Sequence, residues 1–234
     1  MTLDYAQFDA LTFDCYGTLI DWEAGLLAAY HAALDSRATS ALDDEDVLLR
    51  HARHEAALEA GPYLRYRELL ARCLRGVAAE LDLEVPDEVA ARFGGSVADW
   101  PAFPDSQEAL RRLATRFRLG VLTNCDDDLF AASNERLGVD FDWVVTAEQV
   151  GSYKPSDANF EMLMARVGLP PARILHVAQS LYHDHVPAGR MGLASVWIDR
   201  RHDRPGAGAT PVADAAPDEA YPSMATFAAA AVLG

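Results

Sequence analysis

The largely apolar run Ala10-Leu-Thr-Phe13 leads straight into Asp14, and Gly17-Thr18 follow at once. Such text folds as a short buried strand closed by a tight turn, holding one carboxylate at the strand tip. Four further apolar runs share that character: 119–123, 143–146, 174–178 and 194–198. From the second run onward, helical stretches separate them. The first is capped by Asp105-Ser106, the next opens at Asp126-Asp-Asp128 and ends near Leu137-Gly138, and a third covers 159–167 before Gly168. Strands alternating with helices predict an α/β fold, a parallel sheet of about five strands with helices on both faces. Between the first and second strands the periodicity is helical throughout, with stretches at 22–34, 47–58, 63–81 and 86–93. Residues 21–98 therefore read as an inserted helical cap over the strand tips, with 1–20 and 99–234 as the core. Residues 202–222 read as a surface tail before a short Ala-rich helix.

In a parallel sheet all strand tips point the same way, so residues remote in sequence can converge there. Asp14 follows the first strand and Thr123-Asn124 the second. The segment 180–184 follows the fourth. Lys154 comes eight residues after the third strand and is the only lysine among twenty Lys and Arg residues. In a chain so biased toward arginine, a surviving lysine marks a place where a compact ammonium fits and a planar guanidinium does not.

A formal charge of −16 excludes nucleic acid as a partner, since that requires a basic face. It also means that an anionic ligand needs local positive charge to enter against the global field. Cys15, Cys73 and Cys125 show no paired spacing, which points to a reducing, cytoplasmic setting. No apolar run reaches membrane-spanning length, and the first residues lack a signal core.

Asp14-x-Tyr-Gly-Thr-Leu, Leu-Thr123-Asn124, Tyr-Lys154-Pro and the acid at Asp184 resemble the four motifs of the haloacid dehalogenase superfamily. The likeness spans nearly the whole chain, and Tyr16 makes it most similar to the L-2-haloacid dehalogenase branch. The resemblance implies a Rossmann-like core and cleavage of short 2-haloacids to 2-hydroxy acids. It also implies an anionic small-molecule substrate, no cofactor and no metal, and a possible homodimer. Phosphatases of the superfamily usually carry a second Asp two residues after the nucleophile, to protonate the leaving group and help hold magnesium. Here that residue is Tyr16, and a halide leaves without a proton.

On this reading Asp14 attacks C2 and forms an ester, splitting one difficult displacement into two steps. Lys154 and turn amides lower its pKa, and Thr18 donates it a hydrogen bond. Water then attacks the ester, with Asp184 as first choice to orient or deprotonate it and His183 as the rival base. Cys15 and Tyr16 flank the nucleophile, Thr123 and Asn124 grip the substrate carboxylate or the halide, and Ser180 stands where the family has Asn. The halide also wants a cation, and family members use an early cap arginine. Arg50 is the first choice and Arg53 the second, with Arg65 and Arg67 behind them. Glu55, Glu59 and Glu68 stand ready to pair with such arginines instead. Two details depart from the branch. Phe160 replaces the usual Tyr, and the segment Ala178-Gln-Ser-Leu-Tyr-His-Asp184 runs one residue long. His176, His183 and His185 suggest a zinc cluster, but His176 lies inside a strand and reads better as structural. A magnesium-dependent phosphatase and a catalytically silent relative are the alternative functions.

Overall fold

The computed structural model describes residues 3–34, 43–203 and 209–233. In chain order the elements are β1 (Ala10–Phe13), α1 (Trp22–Ala33), α2 (Asp44–Glu59), α3 (Tyr66–Ala79), α4 (Asp87–Gly94) and α5 (Ser106–Ala114). They continue with β2 (Arg118–Thr123), α6 (Asp127–Leu137), β3 (Trp143–Thr146), α7 (Ala147–Val150) and α8 (Asp157–Val167). The last are β4 (Ile174–Ala178), α9 (Val186–Arg190), β5 (Ala194–Ile198), β6 (Glu219–Tyr221) and α10 (Met224–Leu233). The strands form one parallel sheet in the order β3-β2-β1-β4-β5-β6.

The sheet thus has six strands where the apolar runs predict five. β6 escapes the sequence pattern because it is three residues long, half-exposed, and reads Glu-Ala-Tyr with no β-branched residue. It lies inside the stretch expected to be a surface tail, of which 204–208 fall outside the described residues. The central strands β1 and β4 are buried along their whole length, which is why they read as apolar text interrupted only by Thr12 and His176.

Connections run from β1 outward through β2 to β3, then cross back to β4 on the other side of β1. That reversal opens a crevice between the tips of β1 and β4. Register keeps the tips level, because Phe13 pairs with both Val121 and Val177. The helical segment leaves and re-enters the core at one spot, where Ile20 and Ala102 form an antiparallel bridge. Its helices α3 and α4 bury Leu69, Leu70, Leu74, Val77 and Phe93 against one another and against the core.

Gly17 sits in the turn after β1 at φ +99, a conformation that L side chains resist. The turn is knotted on one carbonyl, since the amides of Thr18, Leu19 and Ile20 all donate to Cys15 O. After β4 the chain makes a π-helical turn, Leu181–His185, in which the His185 amide reaches back five residues to Ser180 O. The extra residue noted in this segment is absorbed there.

Candidate active site

Four strand tips deliver one buried polar chain. Lys154 Nζ donates to Asp14 Oδ1 at 2.8 Å, Asp184 Oδ1 at 2.8 Å and Leu122 O at 3.0 Å, using all three of its protons. Asn124 fixes the lysine from its backbone side: its Oδ1 accepts the Lys154 amide at 2.7 Å and its Nδ2 donates to Lys154 O at 3.2 Å. Thr18 Oγ1 donates to Asp14 Oδ2 at 2.6 Å and accepts the Gln179 amide at 2.9 Å. On the other flank His176 joins Asp184 Oδ1 at 3.0 Å through Nε2, and Thr12 Oγ1 at 2.9 Å through Nδ1. Thr12 and His176 are register partners on β1 and β4, so the sheet itself holds that ring.

Asp14, Lys154 and Asp184 are nearly or wholly buried, and the lysine carries the charge that makes this tolerable. Burial opposes the ammonium, but the two carboxylates outweigh it and raise the Lys154 pKa. Burial likewise opposes Asp184, yet the Lys154 charge and the His176 hydrogen bond hold it far below the usual carboxylate range. Asp14 comes out differently from the expectation. Burial lifts its carboxyl, Lys154 pulls it back, and the Asp184 charge pushes it up again, so the net direction is upward. The lysine is shared between two acids, and one half-share does not cancel desolvation. A carboxylate raised this way is more basic and a better nucleophile than one fully quenched by an ion pair.

These groups form one side of a cavity of about 750 Å³, its open mouth included, a size for a small molecule. Asp14, Tyr16, Asn124, Lys154, Ser180, His183 and Asp184 line it, as does Trp22 just past the first turn. The opposite side is Ala52, Glu55, Ala56 and Glu59 of α2 with Tyr66 of α3. Ala209, Thr210 and Pro211 close a third edge.

Some expected ligands lie elsewhere. Arg50 and Arg53 both pair with Glu80 at the end of α3, not with the cavity, because their face of α2 points along the neighbouring helix. Arg65 and Arg67 pair with Asp126, Asp128 and Glu148 of the core. Among the described residues no arginine lines the cavity. Thr123 is buried away from it, with no partner for its Oγ1. Asn124 reaches the cavity but spends its amide on Lys154. Cys15 is fully buried, and burial with the Asp14 charge drives its thiol well above the ordinary value, so it is not a nucleophile. The Tyr16 hydroxyl turns away to Ser133 Oγ at 3.0 Å and Cys125 Sγ at 3.4 Å. Ser180 Oγ accepts the His183 amide at 2.9 Å and meets its Nδ1 at 3.1 Å, anchoring the ring; burial lowers the His183 pKa and keeps it neutral.

Asp126 also departs from its expected role as simple helix-start charge. Its Oδ1 accepts the Tyr66 amide at 2.7 Å and its Oδ2 the Arg67 amide at 3.2 Å, capping α3, whose own Arg65 offers no side-chain cap. Sequence reasoning missed Glu55 and Glu59 as cavity residues. The signal was present: Ala52, Glu55, Ala56 and Glu59 recur at three- and four-residue spacing, a small-and-acidic stripe on one helix face.

A parallel sheet with an aspartate at its first strand tip, under a helical insertion, defines the class. The chain belongs to the haloacid dehalogenase-like hydrolases, whose sequence model matches residues 8–182. It is 25% identical over 207 residues to the (S)-2-haloacid dehalogenase of Pseudomonas putida, covering 84% of this chain and 86% of that one. It is also 27% identical over 211 residues to the Escherichia coli 5-amino-6-(5-phospho-D-ribitylamino)uracil phosphatase YigB, covering 82% and 84%. The fold is similar to that of the L-2-haloacid dehalogenase from Xanthobacter autotrophicus with chloropropionic acid covalently bound. That likeness has a TM-score of 0.78 at 19% identity, over 95% of this chain and 97% of that one.

Proposed function

We propose that the protein hydrolyses short 2-haloacids to 2-hydroxy acids through an ester on Asp14. The observation that carries this is the company Asp14 keeps. It shares Lys154 and Thr18, while the residue two positions on is Tyr16, whose hydroxyl is engaged behind the turn. A nucleophile without an acid in its own turn suits a leaving group that departs as an anion.

Asp14 attacks C2, a C–O bond forms, and the carbon–halogen bond breaks with its electron pair going to the halide. Water then adds to the Asp14 ester carbonyl. Asp184 Oδ2, buried and without a hydrogen-bond partner, can accept the proton side of that water while Lys154 faces the developing oxyanion. Neutral His183, the chain neighbour of Asp184 on the same cavity wall, is the alternative base. The hydroxy acid leaves, and one water has been exchanged for one halide and one proton.

Halide release from a panel of 2-haloacids, beside the Asp14→Asn variant, is the direct test. In heavy-oxygen water under single turnover, label should enter the Asp14 carboxylate first. Label going straight into the hydroxy acid refutes the ester.

Phosphoryl transfer is the second reading, favoured by the likeness to YigB. The residues fit magnesium poorly. Asp14 and Asp184 both grip Lys154, Tyr16 replaces the second acid, and among the described residues no three acidic, His or Cys side chains converge to hold an ion. Phosphate-ester hydrolysis abolished by EDTA, with halide release at background, would establish this second reading instead.

A further inference from the structure

The chemistry above uses neither Glu55 nor Glu59, although both face the cavity. A halide needs no proton to leave carbon, but it needs something to leave toward. In-line displacement fixes that direction: Asp14 strikes from the strand tips, so the halide departs on the far side, against α2 and α3. Among the described residues that side offers Ala52, Ala56, Glu55, Glu59 and Tyr66, and no arginine. The alanines donate nothing, and the Tyr66 hydroxyl already donates to Glu55 Oε1 at 3.1 Å.

The two glutamates sit one turn apart on one helix face, where two charges are costly together. Their surroundings divide them. Glu55 accepts from Tyr66 and lies 3.7 Å from His51 Nε2, so it keeps the charge. Glu59 has no comparable support: its ion-pair partner is His183 Nε2 at 3.9 Å, beyond hydrogen-bond reach. We propose that Glu59 stays protonated and donates to the halide as it leaves C2, doing from the cap what a guanidinium would otherwise do. The inference rests on the dehalogenase reading. It predicts that the benefit is greatest for fluoride, the strongest hydrogen-bond acceptor among the halides.

The electrostatics agree. Burial, then the charge on Glu55, push the Glu59 carboxyl up to about 9, with Lys154 opposing. For Glu55 burial acts upward too, but His51 above all, with Tyr66, outweighs it and holds its pKa down. The groups around Glu59 are Glu55 on its own helix, Tyr66 from α3, Lys154 after β3, His183 and Asp184 after β4, and Asp14 after β1. Of these, Lys154 and Tyr66 have pKa values raised beyond the range in which Glu59 titrates. The atoms balance: the halide takes the bond pair and a hydrogen bond from Glu59, whose proton stays on the carboxyl throughout.

The test is release of fluoride from fluoroacetate and bromide from bromoacetate by wild type, Glu59→Ala and Glu59→Gln. Glu59→Ala should cut fluoride release by about 100-fold or more and bromide release by less than about tenfold. Wild-type activity should fall as pH rises through about 9, and Glu59→Gln, a donor that cannot ionise, should lose that fall. Equal losses for both halides, or an unchanged alkaline limb in Glu59→Gln, overturn the role of Glu59 and leave the dehalogenase reading standing. No halide release by wild type overturns both. Independently of turnover, a carbon-13 titration of labelled glutamate in wild type and Glu59→Gln reads the proton directly. A Glu59 carboxyl titrating in the ordinary acidic range overturns the assignment.

Discussion

Replacing Lys154 with Met keeps the side chain's length and removes its charge, which isolates what the ammonium does. The nitrogen lies 2.8 Å from each of two carboxylates that are themselves almost wholly buried. Removing one partner of a buried ion pair costs roughly 3–5 kcal/mol, because the remaining charge is stranded. For a chain of this size that corresponds to a fall in Tm of roughly 6–20 °C. The loss should depend on pH, with a definite sign. Without the ammonium, the folded-state pKa of at least one of the two acids rises above its unfolded value of about 4. Such a group favours folding only where it is protonated, so the variant is worst near neutrality and recovers as pH falls toward about 4. In wild type the two acids pull in opposite directions, because Asp14 is itself raised and only Asp184 is held low. Asp184, held low, contributes stability that is present above its unfolded pKa and lost as pH falls through the folded one. The gap between the two proteins should therefore close on acidification. Urea unfolding of both between pH 4 and 8 measures it. A gap under about 1 kcal/mol, or one that ignores pH, would refute the view of Lys154 as a buried counter-ion for two acids.

Two other perturbations are informative. Asp126→Ala removes the acceptor for the first two amides of α3, and should cost about 1–3 kcal/mol. Hydrogen exchange should show the Tyr66 and Arg67 amides losing protection first, and unchanged protection there would contradict the cap. Arg50→Ala breaks only a partly exposed pair with Glu80, so stability should change by about 1 kcal/mol or less, and KM for a haloacid should not move. A several-fold rise in KM would restore Arg50 as a ligand.

The parts of the site legible in the sequence are those fixed by the sheet. Asp14 and Asp184 follow apolar runs that can only be buried strands, and Lys154 stands out because no other lysine exists to dilute it. Strand tips carry their residues to one place by topology alone. The cap offers no such guarantee. A helix face can be read from periodicity, but which face meets the cavity depends on how α2 crosses α3 and the core. Arg50 and Glu59 lie on one helix, and only the packing of Arg50 against Glu80 reveals which of the two is turned inward. β6 was illegible for a simpler reason, since three half-exposed residues carry too little pattern. The one-residue excess before Asp184 was visible as spacing, but its resolution as a π turn, with Asp184 still aimed at Lys154, needed the backbone.

The carboxylate that caps α3 belongs to the other layer of the molecule, and this binds access to order. If the helical segment lifts from the strand tips to admit a ligand, Asp126 parts from the Tyr66 and Arg67 amides and the first turn of α3 loses its acceptor. Tyr66 belongs to that turn, and it is the residue that supports Glu55. An open gate is then also a frayed helix with a disarranged ceiling, and only reseating restores both at once. Entry and assembly of the upper half of the cavity are one event.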